Sequence, residues 1–286
     1  MTYSIFDSLF VETSIYSYVK LENLVLVYLG LRPCSQTTLP AELPSGSIMG
    51  ERIDSNFKQR MEQLRSTQDP KVKLKLMVEI KKDLGKNFED VVERSEEYKA
   101  LNTWVKKLDL RINQVEVRPV VHEFYIYKDK DVLKDLQKLM QERGKLRIEV
   151  LKKPDPNKGN IQLAFPEEFN GSWIRRMGSL LGYPDCCTEH YAFDRTTGVN
   201  AEIRAATQLK ELKSEPDPHV YFASYFFPCS PTCEKALSRG VLYHDKLAQA
   251  SSKAGLLFEE TLKTNLDRVR HQPEIISEHL RRLRMG

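Results

Sequence analysis

Through the first part of the chain, apolar residues recur every three or four positions. An apolar stretch that opens at Leu21 is punctuated by Gly30 and Pro33. Phe57, Met61 and Leu64 share one helical face, and Val72, Leu76, Met77, Ile80 and Leu84 share another before Gly85. Tyr98, Leu101, Trp104, Val105 and Leu108 form a third stripe. This spacing places side chains on one side of a helix of about 3.6 residues per turn. The stripes predict amphipathic helices, with Gly85 placed to cap the second. Ahead of them, SQTTLPAELPSGSIMG (residues 35–50) is polar and bears Pro and Gly, and reads as a linker or long loop.

The pattern changes in the middle of the chain. VVHEFYIYK (120–128) is rich in β-branched and aromatic residues and predicts a strand. Asp129 or Asp131 then opens a helix carrying Val132, Leu133, Leu136, Leu139 and Met140, expected to end at Gly144. LRIEVL (146–151) and NIQLAF (160–165) alternate and read as two further strands, joined by the turn-forming KKPDPNKGN. Beyond them Trp173, Ile174, Met177, Leu180 and Leu181 make a helical stripe stopped by Gly182. Helices are expected near 184–194, 200–213, 231–249, 256–270 and 273–284, and VYFASYFF (220–227) reads as a strand or a buried extended segment. The pattern as a whole predicts an α+β fold, mostly helical, with one small sheet of about three strands. It divides into a helical N-terminal region (1–114) and an α+β, cysteine-bearing domain (115–286).

Composition narrows the class. The chain has 286 residues, 41% hydrophobic and 29% charged, as in soluble globular proteins. Mean hydropathy is −0.48, and the longest apolar run, Leu24 to Leu31, is far short of a membrane span. The opening MTYSIFDSLF has no basic leader ahead of an apolar segment, so a cytoplasmic location is expected. Net charge is +4, from 44 Lys and Arg against 40 Asp and Glu, which does not favour nucleic acid as a partner. The basic tail HLRRLRMG, with Arg281, Arg282 and Arg284, reads as a solvated helix end. No membrane partner is expected, and the sequence names no other.

The candidate chemistry lies in sulfur. Of five cysteines, Cys34 stands alone, and its replacement by serine is expected to matter little. Cys186 and Cys187 sit in GYPDCC, and Cys229 and Cys233 in PCSPTC. Pro184 suits the first position of a helix, which places Cys186 and Cys187 in its first turn. Ser230 suits an N-cap with Pro231 next, which places Cys233 third. Amides at a helix start favour thiolate over thiol, and thiolates bind metal. Converging thiolates repel one another unless a cation joins them, which points to zinc or an iron–sulfur cluster. Neighbouring helical residues project about 100° apart, however, so both Cys186 and Cys187 on one ion is awkward; His190, one turn after Cys186, is a candidate to complete the set. Disulfides, redox chemistry and plain burial stay open as alternatives. On any reading that links the two pairs, a sulfur of one lies within about 8 Å of a sulfur of the other. Gly182 is expected to have positive φ so that the chain can turn into Tyr183-Pro184.

Around these residues the chain resembles a family of mostly archaeal, uncharacterised proteins catalogued as domain of unknown function family 483. The resemblance rests on EFYIYKD (123–129), LLGYPDCC (180–187) and PCSPTC (228–233), and spans about residues 115–245. It implies a shared cysteine-bearing core and no particular activity. Members resembling it carry a polar residue, often histidine, shortly before the second pair, where this chain has Tyr225, Phe226 and Phe227.

Other candidates have plainer readings. His122, His219, His244, His271 and His279 read as surface or hydrogen-bonded histidines, and Arg175 and Arg176 as a solvated face. There is no Gly-rich phosphate loop, nucleophile elbow, HExxH or RNA-binding aromatic signature, so no enzyme class is indicated. The expected function is metal or cluster binding through Cys186, Cys187, Cys229, Cys233 and His190. The alternative is a non-catalytic interaction protein whose cysteines are disulfide staples or simply buried.

Overall fold

The computed structural model describes residues 5–285, with the side chains of residues 279 and 282–285 outside the description. The readings made for His279, Arg282 and Arg284 fall there. The fold is α+β, 68% helical, with one three-stranded antiparallel sheet. The chain forms two compact units, Met1–Tyr28 with Cys34–Lys128, and Leu29–Pro33 with Asp129–Gly286. The division falls after Lys128, beyond the boundary at 114 expected from sequence, because residue 114 lies within a strand, Arg111–Arg118, that pairs with the next one, Val121–Tyr127.

In the first unit, α1 (Ile5–Phe10) precedes a π-helical stretch, Val19–Val25, that runs into α2 (Leu26–Tyr28). Strand β1 (Cys34–Leu39) follows, then a long pair of helices, α3 (Gly46–Ser66) and α4 (Pro70–Phe88). The Asp69 carboxylate accepts from the Lys71 and Val72 amides and Pro70 sets the first helical φ, so α4 starts there. A π turn, Glu89–Glu93, and α5 (Glu96–Lys107) lead to β2 (Arg111–Arg118) and β3 (Val121–Tyr127). β3 is central: Tyr127 faces Cys34 of β1 and Arg111 of β2.

Two expectations change here. The stretch 35–50 is no long loop; it supplies β1 and the start of α3, because Cys34, Ser35, Thr37 and Leu39 are buried against β3 despite their polar look. Gly85 does not end α4, which passes through it to Phe88. Within α4 only Ile80 and Phe88 are buried, so the apolar stripe there is largely solvent-facing.

In the second unit, α6 (Lys130–Lys152) and α7 (Asn160–Ala164) replace the two strands expected at 146–151 and 160–165. Once Asp129 has capped α6, each added residue extends an existing helix, which costs less than starting a strand with no partner. Of the alternating Leu146, Ile148 and Val150, Ile148 faces solvent and the other two are half-buried, so their period of two marks no buried face. A 3₁₀ turn, Pro166–Phe169, precedes α8 (Gly171–Leu180), α9 (Asp185–Thr197) and α10 (Ala201–Lys210). The Asn170 and Asn200 side chains cap α8 and α10. The segment 220–227 is buried apart from Tyr225 but is not a strand: it continues a 3₁₀ turn, Pro218–Tyr221, into a bend and a turn. Then come α11 (Glu234–Ala250), α12 (Ser252–Arg270) and α13 (Gln272–Met285).

Close backbone approach fixes these helices. A Cβ on Gly178 of α8 would lie 2.4 Å from the Thr188 methyl of α9, and one on Gly240 of α11 would lie 2.0 Å from the His219 carbonyl oxygen. Phe222, Phe226 and Tyr183 cluster between them, with the Phe222 and Tyr243 rings edge to face at 5.4 Å.

Candidate metal centre

The turn into α9 explains GYPDCC. The Tyr183 amide donates to the Gly178 carbonyl at 2.9 Å and the Gly182 amide to that of Ser179 at 3.0 Å, the paired bonds that close a helix on a left-handed residue. Gly182 takes that conformation, with φ +76°. Pro184 is the N-cap of α9 rather than its first residue, so Asp185, Cys186 and Cys187 form the first turn. The Arg239 guanidinium, from α11, donates to the Gly182 carbonyl at 3.0 Å and ties that helix to the turn.

The second motif folds differently from the expected Ser230 cap. The Ser230 hydroxyl accepts the Thr232 amide at 3.1 Å and its carbonyl accepts the Cys233 amide at 3.1 Å, closing a turn with Pro231 inside it. Proline fits the second position of such a turn as well as the first of a helix. Cys233 is therefore the N-cap of α11, and its carbonyl accepts the Leu237 amide at 2.9 Å.

These two helix starts bring the four sulfurs together. Cys186 Sγ lies 3.9 Å from Cys187 Sγ and 3.6 Å from Cys233 Sγ. Cys187 Sγ lies 3.8 Å from Cys229 Sγ and 3.6 Å from Cys233 Sγ. All four lie within 4.8 Å of one another, the one such gathering of metal-ligating groups among the described residues. Four sulfurs about 2.3 Å from a tetrahedral ion stand about 3.8 Å apart, so the donor set fits one such ion. The objection to adjacent cysteines falls away: their Cα atoms are about 3.8 Å apart, so side chains leaning the same way from a helix end keep their sulfurs that close. The separations are far beyond a bonded S–S length, and all five cysteines are thiols.

Charge is unevenly held. Burial raises the Cys187 thiol far above its ordinary value; the Cys229 amide opposes this and the other sulfurs reinforce it. Burial, with the neighbouring Cys233, pushes Cys229 up to about 11. Burial acts the same way on Cys233, but the Ala236 amide and the thiols of Cys229, Cys186 and Cys187 outweigh it and hold this group below the ordinary value. The metal-free fold thus favours the thiol at Cys187 and Cys229 and the thiolate at Cys233.

His190 is not in the sulfur group. Its Nε2 lies 3.8 Å from the buried Asp194 carboxylate one turn further along α9. The other histidines with described side chains have local partners. The His122 ring stacks on Phe88, His219 meets Asp217 at 2.7 Å, His244 meets Glu259 at 3.0 Å, and His271 meets the Asp267 carbonyl. Arg175 and Arg176 pair with Glu189 and Glu142. Before the second pair, Phe226 and Phe227 are buried, and the exposed Tyr225 ring lies under the Arg268 guanidinium at 4.4 Å. Sequence reading missed Arg204 and Gln208 of α10, which hold the backbone at Pro228 and Cys229. Nothing in the sequence marks them, since their partners are main-chain carbonyls of a distant loop.

Fold and site together define a mostly helical α+β protein whose second unit carries a four-cysteine centre. Residues 114–253 match the family described as protein of unknown function (DUF483), a span that takes in all four clustered cysteines, strand β3 and the latter part of β2. An uncharacterized protein of Methanocaldococcus jannaschii is 31% identical over 97 residues, which is 33% of this chain and 50% of that relative. The chain thus spans about half the length of the curated relative it matches. No solved structure matches it.

Proposed function

We propose that this protein binds a single tetrahedral metal ion, zinc in the first instance, through Cys186, Cys187, Cys229 and Cys233, and that the ion fastens the start of α9 to the start of α11. The observation that carries this is that four of the six sulfur separations, 3.6 to 3.9 Å, match the edge lengths of a zinc–thiolate tetrahedron, with all four sulfurs within 4.8 Å of one another. An iron–sulfur cluster distributes its cysteines over several irons and spreads them further apart, so the compact set favours one ion. Four sulfurs fill all four positions and leave none for water or substrate, the mark of a structural site rather than a catalytic one. His190 is left as a neighbour of the site. Four reduced thiols suit the cytoplasm.

Anaerobic purification followed by measurement of zinc, iron and labile sulfide tests the reading. About one zinc per chain and no sulfide is the expected result. Iron with stoichiometric sulfide would replace one ion by a cluster. No metal at all, with stability sensitive only to reductant, would leave an interaction protein stapled by its cysteines.

A further inference from the structure

The two cysteine motifs come from separate stretches of chain, so something must set the distance between them before any ion arrives. Cys186 and Cys187 ride on α9, whose start is fixed by the Gly182 turn. Cys229 lies in an irregular loop ahead of α11, with no secondary structure of its own. A chain of polar contacts crosses from one to the other.

Asp194, on α9, is 2% exposed and receives the Arg204 Nε at 2.6 Å. Arg204 Nη1 donates to the Pro228 carbonyl at 3.0 Å and to Gln208 Oε1 at 2.8 Å. Gln208 Nε2 in turn donates to the Cys229 carbonyl at 3.3 Å. The carboxylate of one cysteine-bearing helix is thereby joined, through α10, to the two carbonyls that bracket the loop cysteine.

We propose that Asp194, Arg204 and Gln208 are positioning residues of the metal centre, holding Cys229 at the distance from Cys187 that one ion requires. This rests on the metal-binding reading above. A buried ion pair is weak evidence of stability in its own right, since desolvating both charges offsets much of their attraction. Here the pair also sets direction, because guanidinium is planar and its fork fixes the line of each N–H. Groups that orient metal ligands typically change metal affinity about 10- to 100-fold when removed.

Arg204→Lys tests this directly, because one ammonium keeps the charge beside Asp194 but cannot reach Asp194, Gln208 and the Pro228 carbonyl together. Gln208→Ala removes only the bond to the Cys229 carbonyl and the acceptor for Arg204, and keeps the test open if the arginine variant folds poorly. Arg195→Lys, whose guanidinium contacts Glu168 instead, serves as the control. Zinc affinity is read by competition with a chromophoric chelator, and geometry by the absorption bands of cobalt(II) bound in place of zinc. The expected result is a loss of zinc affinity of about 10- to 100-fold in Arg204→Lys, a smaller loss in Gln208→Ala, altered cobalt bands in both, and no change in the control. A purely structural role would lower the melting temperature of metal-free and metal-bound protein alike while leaving affinity and cobalt bands at wild-type values; that outcome overturns the proposal. Wild-type protein that binds neither zinc nor cobalt overturns the metal-binding reading and this inference together.

Discussion

At the scale of single residues, the thiols disclose most about the site. Cys229 is raised to about 11 and Cys187 is raised as well, chiefly by burial, so the metal-free fold holds these protons more tightly than the unfolded chain does. The Cys229 contribution to stability is complete below the ordinary thiol value of about 8.5 and is lost as pH rises through about 11, and that of Cys187 persists to higher pH still. Cys233 is displaced the other way, and its contribution is lost only as pH falls below the ordinary value. Metal-free protein should therefore lose stability in denaturant melts between about pH 9 and 11, and metal-loaded protein should not. Metal binding must displace at least the protons of Cys187 and Cys229, so apparent affinity should rise about a hundredfold per pH unit below that range. Calorimetry in buffers of different ionisation heat counts the protons, and a count of zero is the contrary result. Gly182 is a second residue-scale case. At φ +76°, with Pro33 Cδ 3.1 Å from any added Cβ, Gly182→Ala should cost about 1 kcal/mol or more by chemical denaturation.

At the scale of elements, Gly240 decides how closely α11 approaches the 3₁₀ turn at 218–221. An added methyl would sit 2.0 Å from a backbone oxygen, which no side-chain rotation can relieve. Gly240→Ala should cost about 1–3 kcal/mol and also weaken metal binding, because α11 carries Cys233 at its start. The central strand β3, the Gly182 turn and the convergence of both cysteine pairs were legible in the sequence, since each is written in local chemistry: β-branched and aromatic runs, a glycine after an apolar stripe, prolines before cysteines. The strands read at 146–151 and 160–165 were not there, because short alternating runs satisfy helix and strand alike and only pairing decides between them. β1 was hidden for the converse reason. Its Ser35 and Thr37 look like loop residues, and their burial follows from β3, far along the chain. The cap of α11 was misplaced by three residues because Ser-Pro opens turns as readily as helices.

At the scale of the whole molecule, the centre belongs to one of the two compact units, and its loss should be felt there first. All four cysteines, with Arg204, Gln208 and Arg239, lie in the second unit, while Cys34 is fully buried in the first, at the start of β1. Its thiol donates to the Ser35 carbonyl at 3.5 Å, and Cys34→Ala, which brings no new polar group into a buried site, is the control for metal binding. Cys229→Ser and Cys233→Ser should each lower the melting temperature and the metal content, while Cys34→Ala keeps the metal. A strong chelator should destabilise wild-type protein more than a reductant does, because a thiolate-bound ion yields to competition for the metal, whereas a disulfide yields only to reduction. Hydrogen exchange would locate the effect. Chelation should speed exchange at 182–190 and 226–240, where backbone order depends on the ion, and leave β1, β2 and β3 unchanged. Equal acceleration in the sheet would mean that the centre stabilises the whole chain rather than the junction of α9 and α11. No acceleration at either place would mean that the helix starts are held by Arg239, Arg204 and Gln208 without help from a metal.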